Sequence, residues 1–231
     1  MPLKKSVGNM YPWVTHTHSH LGGECPHKCV YCYVDNPRFG RPERYRGELR
    51  LIEKEFEVKY GMGKTIFMEN CNDLFSIDVP GPMIERILSH CKEWPDNTYV
   101  FQTKDPFKVR FHLSSLPVNS ILGVTVETNR DTESIGRAPL PANRIFFFRH
   151  LKGFRRFITI QPILDFDVDD FAAWLVMARP DFVNIGADSK GHGLPEPPFE
   201  KVMKLIEILT SEGIDVREKH NLDRLRTVEA R

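Results

Sequence analysis

The sequence has no long apolar run and no excess of one charge. None of its apolar segments approaches the roughly 20 residues that span a bilayer, and the opening MPLKKSVGNMYPW lacks the apolar core of a signal peptide. Lys and Arg total 32 against 31 Asp and Glu, which argues against the extended basic surface that coating a nucleic acid requires. We therefore expect a cytoplasmic protein that does not associate with a membrane.

The length of 231 residues suits one large domain with a single hydrophobic core. We expect this domain to span residues 1–231, with its core between about 11 and 213. Residues 214–231 are polar, and we expect them to fray from the core.

Six apolar segments have the pattern of β-strands, and amphipathic segments with helical spacing alternate with them. The predicted strands are 13–20, 64–70, 98–104, 120–128, 156–164 and 181–187. The predicted helices are 46–61, 80–94, 105–116, 143–154, 167–180 and 196–214. Several strands are almost continuously apolar, which is typical of parallel strands covered by helices.

Six βα units predict an α/β fold, namely a partial (βα)6 TIM-like barrel that is open on one side. A closed barrel of eight units usually takes about 250 residues, so this chain is short for one. An open doubly wound sheet is the alternative architecture.

Three of the five cysteines lie close together, in the spacing C-x3-C-x2-C. They are Cys25, Cys29 and Cys32. This clustering and the odd total favour metal ligation in a reducing compartment over disulfides. Three thiolates can hold three irons of a four-iron cluster and leave the fourth iron open to a ligand. The motif follows the first predicted strand, which in a βα barrel places it at the carboxyl-terminal mouth, where such folds carry their chemistry.

A zinc site is the alternative use of these cysteines. His16, His18 and His20 lie on one face of the first predicted strand at a period of two. One of them could complete a tetrahedral Cys3His site. The chain would then be a non-catalytic binding module with a structural metal.

The cysteine motif, with Tyr31 directly before its last cysteine, resembles the radical S-adenosylmethionine (radical SAM) superfamily. The resemblance implies that Cys25, Cys29 and Cys32 hold a [4Fe-4S] cluster whose open iron binds S-adenosyl-L-methionine (SAM). It also implies that a flavodoxin- or ferredoxin-like reductant supplies one electron, which cleaves SAM to methionine and a 5'-deoxyadenosyl radical. The radical then removes a hydrogen atom from a substrate, and Tyr31 becomes a candidate cofactor contact.

The second predicted strand ends in FMENCNDLFSID, which resembles the spore photoproduct lyase family. In that family a cysteine at this position returns a hydrogen atom to the substrate radical, and here the position is occupied by Cys71. The resemblance therefore implies a catalytic role for Cys71. The alternative is that Cys71 fills the core as a small hydrophobic residue.

The next two strand ends resemble SAM-binding segments of the same branch. The ending QTKDP implies that Lys104 contacts the SAM carboxylate, as suits a compact cation. The segment GVTVETN implies that Thr125 and Glu127 contact the methionyl and ribose groups. A charge in an apolar strand is costly without a partner, so we expect Glu127 to face an aqueous mouth.

The later segments resemble this branch by position. Gln161, at the fifth strand, is expected to line the site. Gly186, at the sixth strand, has no side chain, so we expect its backbone to be uncrowded where adenine would approach. Arg137 and Arg144 either clamp a loop or carboxylate, or cap a helix or pair at the surface. Over most of residues 11–195 the chain also resembles a poorly characterised phage-associated family of radical-SAM-like proteins, which implies no particular substrate.

The segment NPRFGRPERYRGELR concentrates arginines between two aromatic residues, Phe39 and Tyr45. The arginines are Arg38, Arg41, Arg44, Arg46 and Arg50. Guanidinium groups and aromatic rings recognise phosphates and bases, so a nucleotide or nucleic-acid substrate is one interpretation. The others are a solvated surface balanced by acidic residues, with a peptide or small-molecule substrate. An open barrel also predicts a large substrate or a partner protein that completes the site.

Overall fold

The computed structural model describes residues 3–8, 10–35, 43–130 and 135–228. The chain forms two compact units. The first consists of Met1–Lys28 and Cys32–Leu122, and the second of Cys29–Tyr31 and Gly123–Arg231. The division falls inside the cysteine motif and inside the fourth predicted strand. The single domain expected from the length stays a prediction.

The first unit contains a mainly parallel sheet and two helices. Its strands are β1 (Lys4–Lys5), β2 (His16–His18), β3 (Leu21–Gly22), β4 (Arg50–Leu51), β5 (Thr65–Met68) and β6 (Thr98–Thr103). Its helices are α1 (Gly81–Lys92) and α2 (Pro106–Val109), and the latter continues as a 3-10 helix over Arg110–Ser115. Strands β2, β5 and β6 pair in parallel, β1 pairs antiparallel with β2, and β3 pairs with β4 in a separate ribbon.

Helix α1 shows why the sequence pattern was sufficient for many elements. Ile84, Ile87, Leu88 and Cys91 recur at helical spacing, and all four are fully buried. Pro82 lies in the first turn, where its fixed φ and missing N–H cost nothing. The helix therefore forms where an apolar face follows a proline that favours the first turn of a helix.

The second unit has the same alternation of strands and helices. Its strands are β8 (Arg155–Ile160), β9 (Phe182–Ile185) and β10 (Asp215–Glu218), and the division between the units falls within β7 (Ser120–Thr125). Its helices are α3 (Pro141–Phe148), α4 (Val168–Ala178), α5 (Phe199–Ser211) and α6 (Asp223–Val228). Strands β8, β9 and β10 pair in parallel. On β8 and β9 the rings of Phe157 and Phe182 stack with centroids 5.2 Å apart.

The predicted α/β fold with parallel strands is confirmed, and all six predicted strands are present, each shorter than predicted. The sheet is not closed, because within the described residues β1 and β10 each pair with a single strand. Strand β10 lies in the segment expected to fray. Its sequence, DVRE, is polar because an end strand has one exposed edge, so it carried no apolar signal. No helix in the described part of the chain is long and apolar enough to cross a bilayer.

The helix predicted over 46–61 is wrong. This segment contains β4 and a 3-10 helix over Glu53–Glu57, whose buried Glu55 pairs with Arg44. Strand β4 pairs with β3, and beside this pair the chain segments lie close together, since a Cβ at Gly23 would lie 2.1 Å from the Glu48 carbonyl oxygen. Long-range pairing thus prevailed over the local helical spacing. The 105–116 prediction is confirmed only in part, as one short α-helix followed by a 3-10 helix.

Candidate functional site

The turn after β5 places Cys71 through an unusual backbone conformation. Glu69 has a φ of 55°, in the left-handed region that non-glycine residues rarely adopt. Its carboxylate accepts hydrogen bonds from the backbone N–H groups of His20, at 2.6 Å, and Leu21, at 3.0 Å. These contacts to the chain after β2 hold the strained turn, so the residues that follow are fixed in place.

Cys71 lies in a pocket of tyrosine hydroxyls. The Tyr33 hydroxyl is 3.3 Å from the Cys71 sulfur and also contacts the backbone carbonyl of Asn70, so its single proton can be donated to either acceptor. Burial raises the pKa of the Cys71 thiol, and hydrogen bonds from Tyr33 and Tyr45 only partly offset this. The thiol therefore keeps its proton at neutral pH. Sequence analysis missed Tyr33, although its position directly after Cys32 was a usable signal.

The three cysteines of the motif form no disulfide and are partly exposed. Lys28, between Cys25 and Cys29, is in the left-handed region with a φ of 48°. Burial raises the pKa of the Cys32 thiol, and the Cys71 thiol lies close enough to contribute. Three soft sulfur donors without a disulfide fit the chemistry of an iron–sulfur cluster. Among the residues that the structure describes, no three His, Cys, Asp or Glu side chains are grouped to hold a metal ion.

The histidines considered for a zinc site are engaged elsewhere in the protein. His20 contacts Glu69 through Nδ1, at 3.0 Å, and the Tyr60 hydroxyl through Nε2, at 2.9 Å. His18 Nε2 contacts the Glu55 carbonyl at 3.2 Å, and His16 Nδ1 contacts the Thr15 hydroxyl at 2.9 Å. Both ring nitrogens of His20 thus have protein partners.

Lys104 directly follows β6, and its backbone N–H donates to Asp73 at 2.7 Å. Asp73 also contacts the buried ring of His27, inside the cysteine motif, at 2.8 Å. That contact with His27, together with hydrogen bonds from Lys104 and Thr103, outweighs the burial of Asp73 and lowers the pKa of its carboxyl. Sequence analysis did not identify Asp73 or His27 as site residues.

Glu127 forms a buried ion pair in the second unit. Its carboxylate is fully buried and accepts from Arg144 Nη1 at 2.8 Å, and it also accepts from the Tyr31 hydroxyl. The same Arg144 nitrogen donates to the Thr125 carbonyl at 3.0 Å. The expectation that Glu127 faces an aqueous mouth is therefore wrong, because the charge has a partner inside the protein. Of the alternatives for Arg144, the carboxylate clamp is confirmed, whereas Arg137 is exposed.

Gln161 and Gly186 meet at the ends of β8 and β9. A Cβ on Gly186 would lie 2.8 Å from Gln161 Nε2 and 3.0 Å from Asn221 Oδ1, so a side chain there would have to displace these two amide groups. Gln161 and Asn221 both donate to the Ala187 carbonyl, at 3.3 Å and 2.5 Å. Burial lowers the pKa of the neighbouring Lys219 to about 8. Sequence analysis missed Asn221, because it lies in the segment expected to fray.

The described arginines of the arginine-rich segment are largely used within the protein. Arg44 pairs with Glu55 at 2.6 Å and donates to the Ser19 carbonyl. Arg50 donates to the carbonyls of Arg46 and Glu48, at 3.0 Å and 3.2 Å. The predicted contacts of Arg38, Phe39 and Arg41 lie outside the described residues.

A family model described as "Protein of unknown function (DUF5131)" matches residues 13–202. The chain belongs to the DUF5131 family. The matched range contains every predicted site residue, from Cys25 to Gly186. Comparison with curated proteins gave no match.

Solved structures of two enzymes resemble this DUF5131 chain. A cysteine-to-serine variant of spore photoproduct lyase has a TM-score of 0.65 at 9% identity, over 94% of this chain and 80% of the lyase. Another variant of the lyase, with bound AdoMet and dinucleoside spore photoproduct, has a TM-score of 0.63 at 10% identity, over 94% and 80%. Streptococcus suis SuiB bound to its precursor peptide SuiA has a TM-score of 0.61 at 11% identity, over 92% of this chain and 51% of SuiB. Identity this low shows the fold alone, so the predicted α/β partial-barrel fold is confirmed, whereas the radical SAM superfamily and its branch stay predictions.

Proposed function

We propose that this chain is a radical SAM enzyme whose cluster is held by Cys25, Cys29 and Cys32. One observation carries the proposal: three cysteines that form no disulfide follow β3 in a chain that shares the fold of spore photoproduct lyase and SuiB. When bound, a [4Fe-4S] cluster supplies the electron that cleaves SAM to methionine and a 5'-deoxyadenosyl radical. The protein's part is to bind and orient SAM and the substrate around that cluster.

The SAM contacts are assigned to residues at the ends of the parallel strands. Lys104 follows β6 and presents a cation for the SAM carboxylate. Thr125, at the end of β7, and Glu127, after it, are assigned to the methionyl and ribose groups, and the fully buried Glu127 acts there through Tyr31. Tyr31 acts with them, because its hydroxyl donates to Glu127, and Arg144 holds the same carboxylate from its other side.

The adenine end is assigned to Gln161 and Gly186. The backbone of Gly186 is not uncrowded as expected, because the missing side chain leaves room that Gln161 and Asn221 fill, so adenine is assigned to the edge that these side chains form. The amide of Gln161 lies against that glycine, where it can orient an aromatic edge by hydrogen bonding.

Cys71 is assigned to hydrogen return. Its protonated thiol carries a hydrogen atom at the sulfur, and Tyr33 orients the thiol from 3.3 Å. Transfer of that atom to a carbon radical forms a C–H bond and leaves the unpaired electron on sulfur. A thiol kept protonated by burial is suited to this step, because a thiolate has no hydrogen atom to give.

The substrate class is inferred from the ligands of the two similar structures and from the arginine-rich segment. The lyase structure holds a dinucleoside and the SuiB structure holds a peptide. We favour a nucleotide or nucleic-acid substrate, because Tyr45 connects the arginine-rich segment to the Cys71 thiol. A flavodoxin- or ferredoxin-like reductant and a protein that completes the open barrel are the expected partners.

Anaerobic reconstitution with iron and sulfide tests the proposal. We expect the absorbance of an iron–sulfur cluster and, after reduction, formation of 5'-deoxyadenosine from SAM. Cys29→Ala should abolish this formation, whereas Cys91→Ala, a buried cysteine of α1, should not. Protein that binds only zinc, or iron held by a fourth side chain, would contradict the assignment.

A further inference from the structure

The carboxylate of Asp73 joins three separate segments of the first unit. Its Oδ2 atom contacts His27 Nε2 at 2.8 Å and accepts the Lys104 N–H at 2.7 Å. Its Oδ1 atom accepts the N–H of Phe75 at 3.0 Å, within its own loop. Asp73 and His27 are both buried, 6% and 4% exposed.

His27 lies midway between two of the cysteines, two residues from Cys25 and two from Cys29. The segment between them forms no helix or strand, and its one described backbone hydrogen bond, from Lys28 to Cys25, is long at 3.4 Å. The His27 ring is therefore a strong tether for this part of the motif. Fixing that ring restricts where the adjacent backbone can place the cysteine sulfur atoms.

The Asp73 carboxylate also holds the backbone of Lys104. The Asp73 contact is made to the N–H of the residue whose side chain we assign to SAM, so it sets where that side chain begins. A buried hydrogen bond to a charged group is among the stronger ones, and losing it leaves the buried partner unsatisfied. The position of Asp73 thus affects the cysteine motif and Lys104 together.

We propose that Asp73 is a positioning residue that couples the placement of the cysteine motif, through His27, to the placement of Lys104. This inference rests on the proposed function, because it takes the cysteines as cluster ligands and Lys104 as a SAM contact. Asp73 touches neither group in this scheme. It acts through the two residues it holds.

Single substitutions should separate the effect of Asp73 on the cysteine motif from its effect on Lys104. Asp73→Asn should speed iron loss to a chelator and weaken SAM binding, each by about 10- to 100-fold, the usual effect of losing a supporting contact. His27→Leu should speed iron loss but leave SAM affinity, measured per bound iron, near that of the wild type. Lys104→Ala should weaken SAM binding but leave the rate of iron loss near that of the wild type. His27→Gln still offers an N–H to Asp73 and should restore iron retention.

The experiment uses the full chain reconstituted anaerobically, with Asp78→Asn as the matched control, because Asp78 is exposed on the same loop. Iron release is followed by absorbance, and SAM binding by the change it causes in the electron paramagnetic resonance spectrum of the reduced protein. The inference is overturned if Asp73→Asn behaves like Asp78→Asn, or if it changes only one of the two readouts. If Asp73→Asn does not fold, the His27→Leu and His27→Gln pair decides, because equal iron loss in both would also overturn it. Wild-type protein that retains no iron would instead refute the proposed function.

Discussion

The hydroxyl of Tyr33 and the sulfur of Cys71 are 3.3 Å apart, although the two residues lie on separate segments joined only by tertiary packing. The hydrogen bond favours the thiolate and so offsets part of the rise that burial causes in the Cys71 pKa. Tyr33 comes directly after the cysteine motif, and Cys71 follows β5. The contact therefore connects the motif to the proposed hydrogen donor.

Tyr33→Phe should raise the pKa of the Cys71 thiol further, because it removes that hydrogen bond. Alkylation of Cys71 by iodoacetamide near pH 8 should slow by about tenfold, the equivalent of one hydrogen bond to a charged group. Peptide mass spectrometry measures the rate and needs no substrate. Phe56→Leu, which changes an aromatic residue elsewhere in the unit, serves as the control. Faster alkylation in Tyr33→Phe would show that the ring shields the sulfur and does not polarise it.

Cys71→Ala should leave SAM cleavage intact and change only the product made from substrate. The thiol is needed after the carbon radical has formed, so 5'-deoxyadenosine should appear at the wild-type rate per bound iron. Chromatography of the reaction measures this, with Cys29→Ala as the inactive reference. Loss of cleavage in Cys71→Ala would place Cys71 at an earlier step. An unchanged product, once a substrate is known, would refute the donor role.

Glu127→Gln should destabilise the protein by about 3–5 kcal/mol, because it leaves the buried Arg144 charge without its counter-charge. Urea unfolding of the protein without iron measures the change in the free energy of unfolding. Glu207→Gln, at an exposed position of α5, should have no measurable effect. A loss of less than about 1 kcal/mol would mean that the pair is no stronger than a surface ion pair.

The sequence was informative about the ends of parallel strands. Cys71, Lys104, Gln161 and Gly186 could be placed near these ends because each follows or ends an apolar segment, and apolar segments are visible locally. Asp73, His27 and Asn221 could not, because their importance lies in contacts between segments far apart in the chain. A hydrogen bond of that kind leaves no periodic pattern.

The same distinction explains the errors. The helix predicted over 46–61 had suitable local spacing, but Leu51 pairs with Leu21 instead, across 30 positions of sequence. The aqueous mouth expected for Glu127 followed from the absence of a visible partner, and that partner, Arg144, comes from α3. In both cases a contact between residues far apart in the chain decided the structure. The sequence around Leu51 or around Glu127 does not show that contact.

Acidification should destabilise the first unit through His18. Burial and the neighbouring His20 lower the pKa of His18 to about 4, against roughly 6.5 in the unfolded chain. Between these values the unfolded chain binds the additional proton, so the free energy of unfolding falls as the pH falls. The stabilisation is complete above pH 6.5, decreases by at most about 1.4 kcal/mol per pH unit below it, and changes no further below about pH 4.

Urea unfolding of the protein without iron, at intervals from pH 7 to pH 4.5, measures this slope. His18→Gln keeps an N–H near the Glu55 carbonyl but cannot titrate, so its unfolding free energy should change less over this range. His220→Gln, an exposed histidine, should retain the wild-type slope. His90 also has a pKa lowered by burial and by His20, so part of the slope should remain in His18→Gln. If His18→Gln and His220→Gln give the same slope, the buried His18 ring is not a source of the acid sensitivity.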